Sequence, residues 1–258
     1  MTNQVVSFSQ TVLFKSAAEI SAPRVSHVLG LVRKSIEGRR AYEIKVRAGN
    51  PTNDENGLSK DFRFVEALND RDVALFMLLN GISPETYING AALTDAEFEK
   101  KSGIASEART RNLKGYDKMR GAARYFLNGG KMQSVLKTVV ACSIVAHKLH
   151  TVLPRNTCEK FIDGLNRSNL SPELLDAIAE VEQSGVLRTT LAGGGAPTQF
   201  SQCSLQLATM KAAKVHPNGR FKDFSLDLDS PVIESFAQRF GMVADLEAAR
   251  RNVARAAA

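Results

Sequence analysis

Residues 106–126 read SEARTRNLKGYDKMRGAARYF: six arginines and lysines against two acids, with two tyrosines and a phenylalanine among them. Guanidinium and ammonium groups at this density do one kind of chemistry well, which is to neutralise phosphates. The wider stretch 100–137 holds ten basic and two acidic residues and carries +8, while the whole chain carries +7. The rest of the chain is therefore almost neutral. That concentration, more than the total, points to a polyanionic partner; the plainer reading is a solubilising surface. The phosphate-contacting candidates are Arg109, Arg111, Lys114, Lys118, Arg120 and Arg124. A second basic group contains Arg39, Arg40, Lys45 and Arg47. A fold that set it beside the first would line a positive groove, and such grooves hold single strands largely without reading sequence.

Signatures of catalysis are missing. NGGKMQ (128–133) has a Gly-Lys pair but neither the first glycine nor the following hydroxyl of a phosphate loop. There is no G-x-S-x-G and no H-E-x-x-H. AGGGAPT (192–198) lacks the dinucleotide-binding spacing. Cys142, His147, His150 and Cys158 are ligand types that suit zinc, yet the paired short spacings of a structural site are absent. Cys142 reads more simply as core, and His150 as the end of a helix. Asp227 and Asp229 alternate on an expected strand and could hold a divalent cation for a hydrolase or nuclease; the simpler reading is the wet face of an edge strand. The expectation is a non-enzyme with no catalytic residues, no metal and no cofactor.

Three cysteines, odd in number and without a C-x-x-C pair, fit a reducing compartment. The first twenty residues lack the pattern of a signal peptide, and the most apolar stretch is broken by Lys137 and Lys148. These features imply a soluble, cytoplasmic protein with no membrane partner.

Periodicity supplies the elements. VVSFSQTVLF (5–14) alternates as a half-buried strand does. Val25, Val28, Leu29, Val32 and Ile36 recur at helical steps, with Gly38 as the expected stop. Tyr42, Ile44 and Val46 alternate and predict a second strand. SPET, SPEL and SPVI (from Ser83, Ser171 and Ser230) each pair a capping serine with a proline at the first helical position. Residues 132–150 form the most apolar helix and the expected centre of the core. A helix over 171–184 ends at Gly185, a glycine-rich segment at 191–198 cannot be regular, and a helix follows over 199–213. A turn at HPNG (216–219) precedes alternating Phe224, Leu226 and Leu228, and the chain ends in helix broken near Gly241. The fold class is mainly α: helical bundle lobes with a small N-terminal β element. The regions are 1–130, an N-terminal lobe with the β element and basic region; 131–229, a helical core lobe; and 230–258, a C-terminal helical arm.

The segment IESFAQRFGM (233–242) resembles the end of nucleoproteins from segmented negative-strand RNA viruses, several of which close on an aromatic-x-x-x-Phe-Gly-apolar element. Phe236, Phe240, Gly241 and Met242 carry the likeness over about ten of the 258 residues. The resemblance implies that the protein coats single-stranded RNA and self-associates through terminal segments. Phe236, Phe240 and Met242 would then be oligomerisation contacts in a cytoplasmic or virion ribonucleoprotein. The plainer reading packs Phe236 and Phe240, four apart, on one face of a helix in the core. The alternative function is a helix-turn-helix DNA-binding regulator of phage or plasmid type, at 94–113 or at 236–252.

Overall fold

The computed structural model describes residues 17–47, 66–85, 88, 115–183, 185, 187, 191, 195–218 and 221–257. The chain divides into two compact units, Met1–Lys101 and Ser102–Ala258. The boundary expected at 130 thus falls inside the second unit, and the basic segment from Ser102 onward stays with the residues that follow it.

The first unit is built on α1 (Ala22–Arg47) and α2 (Arg71–Leu79). Val25, Val28, Val32, Ile36 and Arg39 are buried at steps of three and four, forming the face of α1 that meets α2. Asp70 starts α2 by accepting a hydrogen bond from the Asp72 amide at 2.8 Å. Phe76, Met77 and Leu78 supply its buried side. Arg33 Nε donates to Asn69 Oδ1 at 2.8 Å, tying α1 to the 3-10 turn Ala67–Asn69.

Two expectations are corrected here. Gly38 does not end α1, and residues 41–47 are helical, not a strand. Once a helix is nucleated, each added residue gains a hydrogen bond, and one interior glycine costs only about 1 kcal/mol. Ile44 is exposed on that helix. The strand expected at 5–14 lies outside the described residues.

In the second unit, α3 (Gly115–Asn128) and α4 (Ser134–Ala146) are followed by α5 (Arg155–Lys160) and α6 (Pro172–Gln183). Then come α7 (Ala196–Thr209), the hairpin β1 (Ala213–Asn218) and β2 (Phe221–Leu226), α8 (Pro231–Phe240) and α9 (Val243–Ala257). α4 is the centre expected from its apolar density: every residue from Thr138 to Ala146 is buried. α6, α7, α8, α9 and β2 all pack on it.

The protein is mainly helical, and its described β structure lies late in the chain. β1 and β2 pair antiparallel with Val215 opposite Phe224. Leu153 bridges β2 on its other side, exchanging both backbone hydrogen bonds with Phe224 at 2.8 and 2.9 Å. Pro217 sits in β1, where an edge strand can lack its N–H. Asp227 and Asp229 lie beyond β2, in the turn leading to α8. α7 begins already at Ala196, so the last residues of the glycine-rich segment are helical. The proline starts hold at Pro172 and Pro231, but Ser230 makes no side-chain capping bond.

The break near Gly241 is a Schellman turn. Met242 N–H donates to Ala237 O at 2.8 Å, Gly241 N–H donates to Gln238 O at 3.2 Å, and Gly241 takes φ +72°. Among the described residues, no helix is long and apolar enough to cross a membrane.

Candidate nucleic-acid interface

α3 carries the described part of the basic segment. Lys118, Met119, Ala122 and Ala123 are buried on it. Lys118 is thus corrected as a phosphate contact. Its Nζ donates to Gln133 Oε1 and to Gln199 Oε1, both at 2.8 Å. A wheel with one apolar side puts Lys118 outside. α3 is instead covered on that flank by the 131–133 segment and by α7, which the wheel cannot register.

The 131–133 backbone lies close to Gly121, where a Cβ would touch the Lys131 carbonyl oxygen at 3.4 Å. The chain then turns tightly. Gly130 N–H donates to Arg124 O at 3.2 Å, and a Cβ at Gly130 would stand 3.3 Å from Arg124 Cβ. The turn therefore sets the 129–131 backbone against Arg124. Arg124 and Lys131 are exposed, and Arg120 is half-buried.

Arg239 of α8 joins the same end of the helix. Its guanidinium donates to the Phe126 carbonyl and lies 5.8 Å from the Tyr125 ring centroid and 5.9 Å from that of Phe126. Cations near the carbonyl end of a helix are favoured by its dipole, which gives these residues a structural role as well. Sequence reading missed Arg239, since a lone arginine 113 positions from Phe126 leaves no local signal.

Of the other expected contacts, Arg109, Arg111 and Lys114 lie outside the described residues. In the first unit Arg40 is exposed, and Lys45 and Arg47 belong to the end of α1. Arg39 is corrected: at 1 % exposure it completes the buried stripe of α1.

The oligomerisation residues are corrected too. Phe236, Phe240 and Met242 are buried within the chain. Phe236 and Phe240 stack at 6.0 Å, Tyr125 lies 6.0 Å from Phe240, and Lys137 Nζ sits 5.4 Å from the Phe240 centroid. The core reading of this aromatic pair therefore holds.

The candidate metal ligands serve the fold. His147 Nδ1 pairs with the His150 carbonyl at 2.8 Å, and Leu226 N–H donates to Nε2 at 3.0 Å. The carbonyl can only accept and the amide can only donate, so the ring is neutral with its proton on Nδ1. No lone pair is left for a metal. Burial lowers the His147 pKa. Cys142, Cys158 and Cys203 are buried thiols; desolvation raises all three, Cys142 and Cys203 to about 12. Such thiols stay protonated and unreactive. Among the described residues no cluster of three or more metal-ligating side chains occurs.

These features define a class no finer than a mainly helical protein with a basic helix end. No family model, curated protein or solved structure matches the chain.

Proposed function

We propose that this is a non-enzymatic, sequence-tolerant nucleic-acid-binding protein that engages single-stranded RNA and self-associates along it. The observation that carries the reading is the charge of +8 confined to residues 100–137. Arg120, Arg124, Lys131 and Lys137 are its described cations with access to solvent, Arg109, Arg111 and Lys114 extend it, and Arg239 adds to it. Arg40, Lys45 and Arg47 form a second phosphate-binding group on the first unit. Self-association uses surfaces other than Phe236, Phe240 and Met242.

Reversing Arg111, Lys114, Arg124 and Lys131 to glutamate tests the reading. Binding of unrelated single-stranded RNAs weakens about equally, and the slope of log affinity against log salt flattens by about 0.7 for each phosphate that is no longer neutralised. Unchanged affinity and slope would remove it. A simpler measurement comes first. The chain has no tryptophan, so nucleic acid carried through purification dominates the 260/280 nm absorbance, and nuclease treatment lowers both that ratio and the apparent size.

One observation favours a second reading, a helix-turn-helix DNA-binding regulator: α8, the left-handed turn at Gly241 and α9 have the required order, with Arg251 and Arg255 exposed on the second helix. Marked preference for one duplex over random duplex at moderate salt distinguishes it from the first.

A further inference from the structure

α5, α7 and the β hairpin pack together in the second unit and leave a cleft of about 430 Å³ between them, within the range of small-molecule sites. The pairing register explains its lining. Val215 and Phe224 are directly opposed, and Pro217 is opposed to Lys222. Alternation therefore puts Val215, Phe224 and Lys222 on one face of the hairpin. Towards Ala213 and Leu226 that face is buried; towards the tip, Val215 is 38 % exposed and Lys222 is exposed. The opposing wall is one side of α7, with Leu205 and Ala208, and Phe200 meets Phe224 edge-on at 5.5 Å.

Hydrogen-bond capacity at the rim is lopsided. Arg155 Nε donates to Glu159 Oε1 at 2.6 Å and Nη2 to Ser201 Oγ at 2.7 Å, which fixes the guanidinium. Its Nη1 has no partner among the described residues, and neither has Lys222. The serine hydroxyl protons are already engaged: Ser201 Oγ donates to Pro197 O at 2.8 Å and Ser204 Oγ to Ser201 O at 3.2 Å. Asp223, the one carboxylate on the lining among the described residues, accepts from Asn218 Nδ2 at 2.8 Å. Glu159 lines an adjoining cavity of about 260 Å³ and not this cleft. One guanidinium nitrogen of Arg155 and the Lys222 ammonium thus lack acceptors among the described residues, beside an apolar wall. A molecule that satisfies both surfaces has an anionic, acceptor-only head and an apolar body.

We infer that the cleft between α5, α7 and the hairpin binds a small organic anion. Its carboxylate or phosphate sits at Arg155 and Lys222, and its apolar body lies against Leu205, Ala208 and Val215. The site is independent of the RNA-binding reading. α7 separates the two: Gln199 bonds Lys118 of α3, whereas Ser201, Ser204, Leu205 and Ala208 line the cleft.

The test titrates the full chain calorimetrically with octanoate and with 1-naphthyl phosphate, each beside its neutral counterpart, octanol or 1-naphthol. At least one anion saturates at one per chain, and its neutral counterpart binds about tenfold or more weakly. The preferred head identifies the source: octanoate an acyl acid, naphthyl phosphate a phosphate monoester. Lys222→Gln weakens that anion about fivefold or more with an unchanged melting temperature, and Val215→Asp abolishes binding. Arg155→Gln weakens it as well, and its melting curve reports any loss from the Glu159 and Ser201 bonds. Equal binding of anion and neutral counterpart, no binding of either anion, or wild-type affinity in folded Lys222→Gln would overturn the inference. RNA affinity measured on Lys222→Gln separates the two readings: it stays at the wild-type value if both hold, and a cleft that binds anions in a chain with no RNA affinity leaves this inference standing alone.

Discussion

Lys118 joins two parts of the second unit that lie far apart in sequence, since Gln199 is 81 positions away. Truncation to alanine leaves both amide oxygens without their donor and opens a void where the alkyl stem lay. The expected loss is about 2–4 kcal/mol, read from the urea midpoint. Lys118→Met keeps most of the volume and costs less. A lysine that only met phosphate would behave oppositely, with an unchanged midpoint and weaker RNA binding. His147 makes a second residue-scale prediction. Its folded pKa is lowered by burial, while the unfolded chain titrates at the ordinary value of 6.5. The unfolded state therefore binds the proton first. The stability that depends on neutral His147 is complete above pH 6.5 and is lost as pH falls below it, towards the folded pKa, by at most about 1.4 kcal/mol per pH unit. Protonation would also set an Nε2 proton against the Leu226 amide. Denaturation midpoints at pH 7.5 and 5.5 should differ in wild type and differ less in His147→Gln; equal differences would refute the assignment.

Among the elements, α1 carries the clearest prediction. Gly38 has no heavy atom within 4 Å of an added Cβ, and its φ is not positive. Nothing among the described residues requires glycine there. Gly38→Ala should stabilise the protein by about 0.5–1 kcal/mol, seen as a higher denaturation midpoint. The same position shows what the sequence could and could not convey. Helix starts at Pro172 and Pro231 were legible because proline acts locally, through its fixed φ and missing N–H. α4 was legible because its apolar run leaves no wet face. The length of α1 was not, since an interior glycine and a short alternating run look like a stop and a strand when read locally. Nor was β1: a proline and an asparagine signal a turn, and only the pairing with β2 makes 213–218 an edge strand. For the candidate interface, charge density singled out α3, but which of its cations face solvent depends on how the 131–133 segment and α7 lie over it. Lys118 was misread for that tertiary reason, and Arg39 because it lies on the face of α1 that α2 covers. Arg239 and the cleft at Arg155 arise where distant segments meet and have no local trace.

At the scale of the molecule, the question is whether residues 230–258 form an arm that reaches a neighbour or belong to the body of the second unit. The packing favours the body. Leu246 and Ala249 are buried, and α9 packs on α4. Asn252 Nδ2 donates to the His147 carbonyl at 3.1 Å, and Lys148 pairs with Asp245 at 2.9 Å. Arg250 donates to the Leu228 carbonyl at 2.9 Å and reaches Glu247 at 2.6 Å, Asp229 at 3.3 Å and Glu234 at 3.5 Å. Partial burial pulls the Arg250 pKa down, but these three carboxylates outweigh it and leave it raised. Ending the chain at Met242 would uncover α4, the most apolar of the described helices, and remove the Arg250 contacts to the 228–234 segment. The loss of Leu246 burial alone is about 1.5–3 kcal/mol, and with the polar interactions the total is on the order of 5 kcal/mol, comparable with the whole stability of a small domain. The truncated chain should therefore lose cooperative melting and aggregate or digest readily in limited proteolysis. An arm made for a neighbour predicts the reverse, a folded monomer with an intact melting curve that merely fails to assemble. Circular dichroism melts and gel filtration of the truncated chain decide between the two.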